Sequence, residues 1–187
     1  MNDTNAAPAA YTRTAIVIHW LVALGIFAAF PLGLYMHDLP LSPRKLQLYS
    51  YHKWLGITVL LLVIARLVWR RLHQPPPLDA AMPHWQRAAA HGTHHLLYLL
   101  MFIVPLSGWL MSSALGFSVV WFGVLPLPDL IGKDKVLGET LKEVHEALNY
   151  TLLLLVVAHV AGALKHQLID RDGTLARMLP FLNKEKS

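Results

Sequence analysis

Cysteine is absent from the 187 residues, which excludes disulfides, thiolate zinc sites, iron–sulfur clusters and the C-x-x-C-H attachment of haem. Charge is also scarce: 14% of residues are charged against 55% apolar, and mean hydropathy is +0.44. A soluble domain carries about 25% charged residues, whereas several apolar runs here reach the ~18 residues that span hydrocarbon. The sequence therefore predicts an integral membrane protein whose first partner is the lipid bilayer. The excess of 16 Lys+Arg over 11 Asp+Glu raises nucleic acid as a partner. The basic residues flank apolar runs and form no continuous face, so topology accounts for them and nucleic acid is set aside.

The runs predict an all-α, four-transmembrane-helix bundle, a single membrane domain over 1–187, with helices at about 15–36, 43–71, 88–114 and 135–168. The first run follows Arg13. It is too long for a signal-peptide core and no small-residue cleavage pattern follows, so it reads as a retained helix. Ser42-Pro43 is an N-cap followed by proline at the first helical position, and a proline-rich connector at 75–84 ends the second helix. Pro105 and Gly108 are expected to kink the third helix or admit a close neighbour. The stretch 117–130 is aromatic but broken by Gly123, Pro126 and Pro128, and reads as an interfacial connection or a cap on the bundle. With the N-terminus inside, ten Lys/Arg, Lys184 and Lys186 among them, fall on the inner side and six on the outer. Both termini are therefore expected to be cytoplasmic.

What the chain has in abundance is histidine, eleven in all. An ionisable side chain within a bilayer is costly and marks function by default. His19 near the start of the first helix falls level with His159 deep in the fourth, and His52 near the start of the second falls level with His145. His145 and His159 are fourteen residues apart, which at ~100° per residue leaves them about 40° apart on one helix face and about 21 Å apart along it. One helix can thus serve two sites stacked across a membrane. Bis-histidine ligation of two haems fits this pattern, with His19 and His159 on the inner iron and His52 and His145 on the outer; it favours electron transfer.

Other readings stand beside it. A lone intramembrane histidine can simply hydrogen-bond across helices, and His52 and His145 could be solvated at the interface. Zinc lacks an obvious third ligand at the inner level. His91, His94 and His95 form a cluster at the inner end of the third helix; they are candidates to support the inner site, a haem propionate or a quinone, but the plainer reading is an interfacial cluster in contact with water. His37, His73, His84 and His166 fall at helix ends and are expected to be solvated. Gly25, Gly56 and Gly162 near the histidines are consistent with a flat ring against backbone. Arg13, Arg66, Arg70 and Arg71 are candidates to pair with propionates on the inner side, and Arg44, Lys45 and Lys53 on the outer, although topology alone explains most of them.

With His19-Trp20, Tyr51-His52-Lys53-Trp54-Leu55-Gly56, Ala65-Arg66-Leu67, Ala90-His91-Gly92-Thr93-His94 and Val144-His145-Glu146 ahead of His159, nearly the whole chain resembles the bacterial cytochrome b561 family. The resemblance implies a multi-pass protein of the bacterial inner membrane with two haem b, ligated at the positions of the same four histidines. Its nearest members look like superoxide oxidases, which implies transfer of electrons from superoxide to ubiquinone. Arg44, Lys45 and Lys53 at the outer mouth would draw in that anion, against the acidic cluster Asp129, Asp134, Glu139, Glu143 and Glu146 on the same side. The alternative is an anchor subunit passing electrons between quinone and a redox partner protein, a dehydrogenase or hydrogenase; short tails favour the stand-alone form. A histidine-rich metal transporter is the non-redox reading.

Overall fold

The structure, a computed structural model, describes residues 10–78 and 82–183. Lys184 and Lys186, counted above with the inner basic residues, and positions 79–81 of the connector lie outside the described residues. Four long helices carry the fold: α1 (Arg13–His37), α2 (Pro43–Leu72), α3 (His84–Ala114) and α4 (Lys135–Lys165). Between α3 and α4 lie two short strands, β1 (Val120–Trp121) and β2 (Leu125–Pro126). A π-helical turn, His166–Asp170, extends α4.

Each helix start has a local cause. Thr12 Oγ1 accepts from Ala15 N at 3.2 Å, Ser42 Oγ from Lys45 N at 3.3 Å ahead of Pro43, and Asp134 Oδ1 from Leu137 N at 3.1 Å. Each satisfies a donor that the first helical turn leaves open. α3 starts at Pro83-His84, a turn earlier than Ala88, with no side-chain cap. It ends on Gly116 at φ 79°, where Gly116 N and Phe117 N return to Ser113 O and Ser112 O at 3.0 and 2.9 Å. That left-handed closure suits glycine.

The surface is that of a membrane bundle. Leu24, Leu154 and Val157 are 63%, 69% and 57% exposed, outward-facing apolar side chains that only lipid would cover. α1, α3 and α4 are long and apolar enough to cross a membrane. α2 is as long, but Arg44, Lys45, Lys53, Arg66, Arg70 and Arg71 confine its uncharged stretch to Trp54 through Ala65, so composition alone marks three spans and a fourth long helix. α1 packs on α2, α2 on α3 and α3 on α4. Val22, Val59 and Val63 fill one core, and Leu97, Leu100, Val104 and Leu152 the other. Along the remaining seam α1 meets α4 through rings: His19 to His159 at 6.3 Å and Phe30 to Tyr150 at 6.1 Å between centroids.

The 117–130 connection forms an antiparallel hairpin that pairs Val120 with Pro126 and Trp121 with Leu125. Phe122 and Gly123 turn it at φ 50° and 72°. For Phe122 this is a costly conformation, held by rings of Trp121 and Trp54 at 5.1 and 5.4 Å.

Candidate functional site

The four histidines singled out from sequence come together as two pairs. His52 of α2 and His145 of α4 have ring centroids 6.3 Å apart and perpendicular planes, at 90°. Each is fixed by a neighbouring helix: His52 Nδ1 bonds Ala29 O of α1 at 3.0 Å, and His145 Nδ1 bonds Val104 O of α3 at 3.1 Å. A carbonyl can only accept, so each Nδ1 carries the proton and each Nε2 keeps its lone pair. Two imidazoles from facing helices are thus held in the tautomer that a metal requires.

The rings lie against helix backbone at Gly33, which sequence reasoning did not select, and at Gly108, where it expected a kink or a close neighbour. A methyl group on Gly33 would stand 3.2 Å from His52 Cε1, and one on Gly108 would stand 2.9 Å from His145 Cε1. Both glycines sit four residues beyond the carbonyl that orients the ring. Of those expected to flank a ring, Gly25 instead admits Val59, whose Cγ2 would be 2.6 Å from an added Cβ, while Gly56 and Gly162 face open space. Gly56 does line the cavity of about 200 Å³ that His52 and His145 share with side chains of all four helices. Its other lining is almost wholly apolar, with Asn149 the exception. Phe27 and Leu153 line it and are also 57% and 36% exposed, so the cavity reaches the surface along the α1–α4 seam.

At the other level His19 and His159 have centroids 6.3 Å apart at 58°. A third imidazole joins them: His94 lies edge-on to His159 at 5.3 Å. This corrects the reading of His94 as water-exposed. It sits one turn before the buried Leu97, on the inward stripe of α3, whereas His91 and His95 are exposed. Beside them Arg66 donates to Tyr98 Oη at 2.8 Å, and Arg66 and Arg70 both stand over the Tyr98 ring, 5.6 and 5.8 Å away. The inner trio does not converge as a zinc site would. Among the described residues only His166, Asp170 and Asp172 bring three ligand atoms within 4.8 Å of one another.

That last group is also a correction, because His166 was expected to be solvated. Its side chain is 16% exposed, and Nδ1 meets Asp172 at 2.7 Å and Asp170 at 3.0 Å. Lys165 Nζ meets Asp170 at 2.5 Å, so a cation already balances the carboxylates and the cluster reads as an ion-pair lock on the end of α4. His73 stacks on Trp69 at 4.0 Å, and His37 bonds its exposed neighbour Asp38 at 3.0 Å.

The hairpin is tied to the His52 end of α2. Lys53 Nζ donates to Phe117 O and Ser118 O at 3.0 and 3.4 Å, and Trp54 Nε1 to Val120 O at 2.6 Å. Trp109 Nε1 reaches Pro128 O at 3.1 Å. Lys45 likewise caps the end of α1, donating to His37 O and Leu39 O at 3.1 and 2.5 Å. Two of the three cations expected to steer an anion therefore hold carbonyls in place, and Asp129 stands near Lys53, bonded to Ser118 at 3.1 Å.

Residues 10–181 match the family model for prokaryotic cytochrome b561. The chain belongs to the prokaryotic cytochrome b561 family. Cytochrome b561 homolog 2 of Escherichia coli (strain K12) is 34% identical over 96% of this chain and 95% of its own length. Cytochrome b561 homolog 1 of the same organism is 30% identical over 91% and 97%. A protein of Yersinia pestis named probable superoxide oxidase CybB is 28% identical over 91% and 96%. As a cytochrome b561, this chain is a bacterial membrane protein of electron transfer, and membership implies haem b.

Proposed function

We propose that this cytochrome b561 is a single di-haem domain, held by His52 with His145 at the outer level and His19 with His159 at the inner. It oxidises superoxide at the outer face and reduces ubiquinone in the membrane. The observation that carries the reading is the geometry of the two pairs. A metal held linearly between imidazoles by bonds of about 2 Å, with roughly 1 Å from each nitrogen to its ring centre, puts the centroids about 6 Å apart; both pairs stand at 6.3 Å. The outer pair adds the required tautomer, two glycines that clear the rings and an apolar cavity. Held there by two histidines, haem b would supply a centre suited to moving single electrons.

The chain's own residues support the rest. Lys53, the residue after His52, carries its ammonium at the outer end of α2, where a small anion would approach, although its Nζ also holds Phe117 O and Ser118 O. The cavity edge along α1 and α4 faces lipid, the medium in which ubiquinone dissolves. Arg66 and Arg70, gathered on Tyr98 beside the inner pair, are placed to meet propionates. Two superoxide anions, each oxidised to dioxygen, supply the two electrons that with two protons convert ubiquinone to ubiquinol. For the positive-inside bias to hold, α2 also spans, its end charges reaching the interfaces, and both termini face the cytoplasm of a bacterium with this protein in its inner membrane.

The test is haem quantification with a reduced-minus-oxidised spectrum on the wild type and each histidine→Ala variant. The expected result is two haems per chain, with one lost from each variant. Two haems retained in His52→Ala or His145→Ala would overturn the outer assignment. Superoxide supplied to pure protein with a ubiquinone analogue should then give quinol; its absence would point to an anchor subunit working with a partner.

A further inference from the structure

Among the described residues the buried polar side chains are Ser107, Ser112 and Ser113. Two have a structural account at the end of α3: Ser113 Oγ donates to Trp109 O and accepts from Leu130 N at 3.0 and 3.1 Å, and Ser112 Oγ bonds Phe117 O. Both tie the helix to the connection that follows. Ser107 lies deeper and meets His145. Its hydroxyl donates to Val104 O at 2.8 Å, and its oxygen stands 2.9 Å from His145 Nδ1. The same Nδ1 is 3.1 Å from Val104 O.

The proton positions follow from the partners. Val104 O only accepts, so both the Nδ1–H and the Ser107 hydroxyl point to it, and Ser107 Oγ is left to accept a second branch of the Nδ1–H bond. His145 therefore donates to two oxygens, where the Nδ1 of His52 has Ala29 O at 3.0 Å. Acceptors on the far nitrogen of a ligating imidazole draw its proton outward and make the ligating nitrogen more basic. A more basic axial nitrogen stabilises ferric over ferrous iron.

We infer that Ser107 is a positioning residue that acts through His145 to lower the reduction potential of the outer haem. The inference rests on the reading of His52 and His145 as axial ligands. A lower outer potential favours passing the electron onward over retaining it. The plainer account, a helix serine satisfying its hydroxyl on a carbonyl three residues back, leaves the potential untouched.

A redox titration of the wild type, Ser107→Ala and Ser107→Thr separates the two. Ser107→Ala should keep both haems and raise only the outer potential, so that its ferrous-to-ferric ratio at a fixed ambient potential rises ~5-fold, about the worth of one hydrogen bond. Ser107→Thr, which keeps the hydroxyl, should return it toward the wild type. An unchanged outer potential, an equal shift of both haems, or loss of the outer haem from the Ala protein would each overturn the inference. Failure of the underlying reading is separately visible, as two haems retained in His145→Ala.

Discussion

Gly108 of α3 lies against the imidazole of His145: a methyl group there would stand 2.9 Å from Cε1, closer than packed carbons approach. Gly108→Ala should push the ring off its bond to Val104 O and cost about 1–3 kcal/mol as overpacking. The expected outcome is loss of outer haem with the inner retained, read from haem content and the reduced spectrum. Gly33→Ala should do the same more weakly, its contact with His52 being 3.2 Å. Gly92→Ala, at an exposed position of α3 facing open space, is the control, and equal haem in all three proteins would show that the rings have room to spare.

The perpendicular setting of His52 and His145, at 90°, has a magnetic consequence. On the proposed ligation, crossed imidazole planes would leave the two iron dπ orbitals nearly degenerate, and g-anisotropy in low-spin ferric haem grows as that splitting shrinks. The outer haem should give a strongly anisotropic low-spin signal in electron paramagnetic resonance, and His145→Ala should remove it. The inner rings, at 58°, should give a less extreme one. Two signals of similar, low anisotropy would mean that the ring planes rotate on binding.

These contacts also show what could be read from the chain alone. The helices announce themselves by hydropathy, and the histidine levels follow from helix rise, because both are properties of one helix at a time. Glycines were sought near each histidine along its own helix, which found Gly25, Gly56 and Gly162; Gly108 was marked as a place to kink α3 or admit a close neighbour, with no histidine assigned to it. The glycines that clear the rings are on the facing helices, and sequence distance carries no information about which helix faces which. A local signal existed: Ala29-Phe30-Pro31-Leu32-Gly33 and Val104-Pro105-Leu106-Ser107-Gly108 both set Pro-Leu between the orienting carbonyl and the glycine four residues on. His94 was misjudged because its neighbours His91 and His95 suggested a wet cluster, while the stripe through Leu97 turns it inward. His166 gained partners from a π-helical turn that no periodicity foretells.

Lys53 donates to two carbonyls of the connection after α3, and charged donors of this kind are each worth roughly 1.5–3 kcal/mol. Lys53→Met should therefore loosen the hairpin, speeding amide exchange at Gly123, Val124 and Leu127, whose N–H groups close it at 3.1, 3.1 and 2.8 Å, by about tenfold or more. Haem content should stay the same, since Trp54 and Trp109 still hold the loop and no histidine bond is touched. Unaltered exchange would show that the tryptophans suffice.

Asp172 closes the turn beyond α4, where Oδ1 accepts from Thr174 N at 2.9 Å and Oδ2 meets His166 Nδ1 at 2.7 Å. Burial works to raise its carboxyl, but the hydrogen bonds from Thr174 and His166 outweigh it and hold the group below its ordinary value of 3.8. A carboxyl depressed in the folded state stabilises that state above its unfolded value, and the contribution disappears as pH falls through the folded one. The C-terminal turns, anchored by Trp20 Nε1 on Met178 O at 3.0 Å and Arg177 on Pro77 O at 2.6 Å, should thus hold at neutral pH and loosen only below about pH 3.8. The Thr174 amide resonance, followed as the pH is lowered, should move with a midpoint under that value in the wild type and stay flat in Asp172→Asn. A midpoint above it would mean that burial, not hydrogen bonding, governs this carboxyl.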